Sequence, residues 1–193
     1  MSLARVHDPL GNVIIRQIGD AGGPRSDWVA DELNQIITAH NAGFGIYFAD
    51  VAARQTGANT TETDFSTKTV LANTLANNGD MMLFASRTVY AANANTKRYR
   101  VYWDSTVLFD SGAVAFNGVN QFLIGLIYRE NSTTLSTIFA NIVGTAINPA
   151  VSVAFTTTTS FTVNRTLKTT GQNGAASAGD IIQAGLFVMK GSV

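Results

Sequence analysis

The chain has no cysteine, three prolines and two histidines among its 193 residues, and only 13% of those residues are charged. Without cysteine there is no disulfide framework and no thiolate metal or redox chemistry, and cysteine usage leaves the redox compartment unread. Thirteen basic side chains balance thirteen acidic ones, and a formal net charge of zero argues against a nucleic-acid-binding surface. Soluble domains usually carry roughly 25% charged residues, so this surface must be solvated mainly by neutral polar groups, in a chain rich in Thr, Asn, Ala and Gly. No run of about 18 apolar residues is present, so no membrane span is expected. The segment Met1 to Arg16 lacks the apolar centre and small-residue cleavage site of a signal peptide. A chain of this length buries a real core without staples, and one domain plus an extension is the expected organisation. Composition therefore points to a soluble, β-leaning structural or binding protein.

What is present divides the chain in two. From Met1 to Asn59 the pattern is irregular: a short apolar stretch, Val13-Ile14-Ile15, meets Gly19 and the breaker cluster Ala21-Gly22-Gly23-Pro24-Arg25. One helix follows, capped by Ser26 or Asp27, with Glu32 near its first turn and Val29, Leu33, Ile36 and Ile37 at helical spacing. It ends near His40-Asn41, Phe44 to Phe48 reads as a possible short strand, and Arg54 to Asn59 reads as a linker. A lone amphipathic helix of this length is not stable by itself and must lie on something else.

From Thr60 onward the period is two. Strands are expected over 81–90, 97–104, 106–110, 119–130, 134–143, 151–157, 161–170 and 180–190, with Asp104-Ser105 turning a hairpin. About eight short strands without intervening helices predict a mainly β fold, an antiparallel jelly-roll-like β-sandwich over 60–193, with residues 1–59 as an extended N-terminal arm carrying one short helix. In 97–104, Tyr99, Val101 and Trp103 share one face and Arg98, Arg100 and Tyr102 the other, the mark of a half-buried strand. Two strands are apolar on both faces: Phe122, Ile124, Leu126 and Tyr128 oppose Leu123, Gly125 and Ile127, while Ile181 and Phe187 oppose Ile182, Leu186 and Val188. Such strands need cover on both sides, from the arm or from a neighbouring subunit. From Asn131 to Val193 the only charged side chains are Arg165, Lys168, Asp180 and Lys190, which favours the subunit. A homotrimer is expected, with Leu123, Ile127, Ile182, Leu186 and Val188 at its interface.

The catalytic inventory is thin. His7 and His40 sit in no constellation, and no Gly-x-Ser-x-Gly elbow, phosphate loop or dinucleotide fingerprint occurs. Asp104 and Asp110, the carboxylates a glycosidase would need as a pair, read most simply as turn residues. No catalytic residue, metal ligand or cofactor is assigned, and a non-enzyme is expected. The basic and aromatic mixture in Lys97 to Trp103 resolves by alternation into a charged face and a core face, with Arg98 and Arg100 placed to pair with acidic groups on a neighbouring subunit. Thr156 to Thr159 reads as a turn between strands, and the Asn-x-Ser/Thr matches at Asn59, Asn131 and Asn164 as accidents of composition.

Three blocks carry a family resemblance: Leu75-Ala76-Asn77-Asn78-Gly79-Asp80, then Arg98 to Asp104 leading into Val107-Leu108-Phe109-Asp110-Ser111-Gly112, and the terminal apolar strand Asp180 to Val188. Over about two thirds of its length the chain resembles the small β-sandwich proteins of tailed-bacteriophage virions. The resemblance implies a capsid cement or decoration protein, a head fibre, or a tail or baseplate receptor-binding tip, mostly trimeric. For the arm it implies anchoring to the major capsid protein or, in the tail alternative, to a tail or baseplate protein, through Val13, Ile14, Ile15, Trp28, Leu33, Ile36, Phe44, Tyr47 and Phe48. In the tip alternative the ligand would sit on loops 91–96 and 171–178. No nucleic acid and no membrane is expected as partner.

Overall fold

The computed structural model describes residues 5–7, 13–16, 45–144, 146–147 and 154–191. All regular structure among them is β. The helix expected over 26–40 lies outside the described residues, and with it Trp28, Leu33 and Ile36; Phe44 lies outside them too. The chain forms two compact units, Met1–Gly45 and Ile46–Val193. In the first, β1 (Arg5–His7) and β2 (Val13–Arg16) pair antiparallel with Val6 opposite Ile15, so Val13, Ile14 and Ile15 are strand residues.

The second unit is built from β3 (Gly45–Asp50), β4 (Arg54–Gln55), β5 (Thr63–Val70), β6 (Met81–Tyr90), β7 (Lys97–Trp103), β8 (Thr106–Asp110), β9 (Asn120–Arg129), β10 (Thr134–Val143), β11 (Ala146–Ile147), β12 (Ala154–Thr158), β13 (Arg165–Asn173) and β14 (Ile181–Gly191). They form two antiparallel sheets. The large one runs β11-β10-β9-β6-β14-β3, with β12 on β10 and β4 on β14; the small one runs β5-β13-β7-β8. The short strand expected over 44–48 is present as β3, but it belongs to the large sheet, and the expected linker supplies a second strand there: Arg54 and Gln55 pair with Gln183 and Ile182. The Thr156 to Thr158 run, expected as a turn, is strand, with Thr158, Thr157 and Thr156 opposite Thr134, Leu135 and Ser136.

The inner faces of the two sheets share one core. Tyr99, Val101 and Trp103 of β7 point into it together with Phe84 of β6, Leu123 and Ile127 of β9, Phe139 of β10 and Leu186 and Val188 of β14. Phe109 of β8 packs against Phe139 with ring centroids 5.7 Å apart, joining the sheets. Polar groups join them too. Gln183 of β14 donates to Ser66 Oγ of β5 at 3.0 Å and accepts from Thr169 of β13 at 2.7 Å, and Ser66 donates to Asp50 at 2.7 Å. A second buried chain lies within the large sheet, from Tyr90 of β6 to Gln121 of β9 and from Gln121 Nε2 to Asn141 Oδ1 of β10 at 2.6 Å. Buried polar groups persist when bonded in this way.

Candidate functional site

The outer faces of the two sheets differ in chemistry. On the small sheet, Arg98 and Arg100 of β7 point outward and both reach Asp110 of β8, while Arg100 also meets Glu62 at 2.8 Å. Tyr102 donates to Glu62 at 2.7 Å, and Lys168 of β13 reaches Asp64 at 3.2 Å while lying over the Tyr102 ring. Arg98 and Arg100, expected to reach across to a neighbouring subunit, therefore find their carboxylates within their own chain. Burial opposes charge on Asp110, but the Arg98 bonds, the Gly112 N–H and the two guanidinium charges outweigh it, holding the carboxyl below its ordinary value. Glu62 is lowered likewise: burial pulls upward and bonds from Thr170, Tyr102 and Arg100 pull further down. This face is a self-satisfied ionic surface facing water.

The large sheet presents the opposite. Strand register sets its outward side chains in rows across β10, β9, β6 and β14. One row is Ile142, Phe122, Arg87 and Gly185; the next is Ala140, Ile124, Ala85 and Phe187; the third is Ile138, Leu126, Leu83 and Met189. Arg87 is the only charged residue in the three rows. Phe122, Ile124, Ile138 and Phe187 are 44–53% exposed. Rows spaced by two residues on four strands give a footprint of roughly 400 Å² from strand rise and spacing alone.

Four of the five interface residues expected from sequence fall on the other side. Leu123, Ile127, Leu186 and Val188 are buried within the chain's own core, which leaves them no surface for a partner. Ile182 faces outward beside Val89 and is half-buried. Two causes underlie the correction. A strand apolar on both faces does not declare its phase, and a β-bulge between Gln183 and Gly185 shifts the alternation, so Ile181 and Leu186 both point inward. Of the expected arm residues, Tyr47 and Phe48 are described, and they pack against the core of the second unit. Tyr47 Oη accepts the Leu71 N–H at 3.1 Å, which leaves its ring part of the body rather than of a free arm.

Of the two loops named for the tip alternative, 91–96 and 171–178, residues 171–173 are the end of β13, and the connection that remains, 174–180, is tied to loop 91–96. Asp180 accepts from Asn93 at 2.7 Å, from Asn95 at 2.8 Å and from Ser177 at 2.9 Å, and Gly174 N–H donates to Thr96 O at 2.7 Å. The fully buried Lys97 donates to Asn93 Oδ1, Asn95 O and Phe116 O at 2.8–3.0 Å. The cavity beside them, lined by Thr96, Lys97 and Gly174 among others, holds about 180 Å³, below the usual range for ligand pockets. Among the described residues no group of three His, Cys, Asp or Glu side chains converges as a metal site would.

No protein-family model and no curated protein matches the chain. Among solved structures the chain is similar to the CBM2 module of Lactobacillus casei BL23 phage J-1 evolved Dit, at 12% identity and a TM-score of 0.30, over 64% of this chain and 67% of that one.

Proposed function

We propose that the chain is a non-enzymatic structural protein of a tailed-phage virion, a homotrimeric capsid cement or decoration protein whose body is a jelly roll. The order β3-β14-β6-β9 opposite β5-β13-β7-β8 supports the jelly-roll reading, with β10 to β12 inserted at one edge. The virion setting is supported by the sequence resemblance around Leu75 to Asp80, Arg98 to Gly112 and Asp180 to Val188.

The observation that carries the assembly is the apolar outer face of the large sheet. Monomeric proteins rarely expose contiguous apolar area beyond a few hundred Å², and here it lies opposite a fully paired ionic face. A standard interface buries about 800 Å² per partner around an apolar centre with a polar rim. The Phe122, Ile124, Ile138 and Phe187 patch is of a size to be that centre, and the neighbouring copies of this chain around the trimer axis are its occupants. A cement protein acts by linkage: binding only the assembled shell stabilises that state by about 2.7 kcal/mol at a hundredfold excess over Kd. Loops 91–96 and 174–180, which bond to each other rather than standing open, favour cement over the receptor-binding tip.

Quantitative mass spectrometry of purified virions tests this. A copy number in the hundreds, comparable with the major capsid protein, is the expected result. A few to a few tens of copies would overturn the cement reading in favour of a tail or baseplate protein.

A further inference from the structure

A second cavity lies at the opposite end of the body from loops 91–96. We infer that it is a binding site for a short, uncharged oligosaccharide. It holds about 500 Å³, within the range of small-molecule sites. Three connections from both sheets border this open cleft: the β7–β8 turn at Asp104-Ser105, the β9–β10 turn at Ser132-Thr133, and the segment from Thr158 to Arg165 between β12 and β13.

Its floor is aromatic and fixed. Trp103 is buried and its indole N–H donates to Thr159 Oγ1 at 3.2 Å, while Phe161 is buried beneath the Arg129 guanidinium, 4.8 Å from the ring centroid. The charged groups are already committed. Arg165 holds Asp104 Oδ2 at 3.0 Å and donates to Ser160 O at 2.8 Å, and Asp104 Oδ1 accepts the Thr166 N–H at 2.8 Å. Among the described residues Arg129 meets no carboxylate; it donates to the main-chain carbonyls of Leu75, Ala76 and Asn131. Asp104 and Arg165 cancel, and Arg129 is spread over carbonyl dipoles and a ring face, so little remains to select a phosphate or carboxylate.

The exposed rim is hydroxyl: Ser105, Ser132, Thr133, Thr158, Ser160 and Thr162. A hydroxyl both donates and accepts, and the ligand that offers the same dual groups at high density is a sugar. Side chains already held in place lose little freedom on binding. An apolar peptide finds no apolar rim here. The proposal goes beyond the assembly reading and rests on different residues.

The test uses the full chain on an array of neutral and acidic oligosaccharides of about two to four sugar units, with titration calorimetry on any that bind. Neutral oligosaccharides are expected to bind with Kd below about 1 mM. Thr133→Trp, which fills the cavity from an exposed turn, should weaken binding by at least about tenfold without changing the melting temperature or the mass in solution. Gln172→Ala, at the other end of the body, should leave it unchanged and serves as the control. Absence of any binding at about 1 mM, binding of acidic sugars alone, or full affinity retained in Thr133→Trp would each overturn the site.

Discussion

Asp180 concentrates more bonds than any other carboxylate near the 91–96 loop, and it sits almost fully buried beside the buried ammonium of Lys97. Burial pushes its carboxyl upward, but donors on Asn95, Asn93 and Ser177 and the Lys97 charge pull it below the ordinary value of 3.8. Asp110 and Glu62 are lowered for parallel reasons. A carboxylate lowered in the folded state stabilises above its unfolded pKa, and that stability is lost as pH falls through the folded value. Melting temperature should therefore be flat above about pH 5 and fall below about pH 4, as followed by circular dichroism. Asp180→Asn replaces an acceptor with an amide that faces the donors of Asn93 and Asn95. It should cost about 2 kcal/mol at neutral pH and shrink the acid-side fall, and a variant as stable as the parent would refute the role given to these bonds.

At the scale of the element, the existence of strands was legible from apolar runs bounded by turn residues, and their facing only where one face was polar and the other apolar, as in β7. Over 81–90, 106–110 and 134–143 the expected bounds are those of β6, β8 and β10, and β7 places Tyr99, Val101 and Trp103 inward as its alternation requires. β5, with the sequence Thr-Asp-Phe-Ser-Thr-Lys-Thr-Val, gave too little apolar periodicity to be read, although Phe65 and Val70 reach the core. The phase of the large sheet was illegible for a physical reason: Ser86, Thr88, Gln121, Asn141 and Gln183 lie on its inward face, while its outward face carries Phe122, Ile124 and Phe187. Polarity therefore pointed the wrong way. The same strands explain Gly125, which sits opposite Phe139 in register, where a Cβ would come within 2.3 Å of the ring. Phe139 cannot give way, being held edge-on to Phe84 at 5.7 Å and against Phe109. Gly125→Ala should destabilise by about 2 kcal/mol through overpacking, with Phe139→Leu in the same chain restoring part of the loss in urea unfolding; no loss in the single variant would show that the ring has room to move.

For the molecule as a whole, the contrast between the two outer sheet faces predicts what a single charge will do. Ile124 is 45% exposed, and its cross-strand neighbours on β6 and β10 are Ala85 and Ala140. An aspartate there meets small side chains and water in the lone chain, so Ile124→Asp should change the folding free energy by under about 1 kcal/mol. In the proposed trimer the same carboxylate would be enclosed beside Phe122 and Phe187 with no cation but Arg87 in the three rows, and an uncompensated buried charge costs several kcal/mol per ion. Three copies would multiply that cost around the axis. Sedimentation equilibrium should find the parent chain at three times its monomer mass and Ile124→Asp at monomer mass, with the same far-ultraviolet spectrum for both. An aspartate on the small sheet, as in Gln172→Asp, adds the same charge to a face already ionic and should leave the trimer whole. A parent chain that sediments as a monomer, or an Ile124→Asp variant that stays trimeric, would mean that self-association does not run through the large sheet.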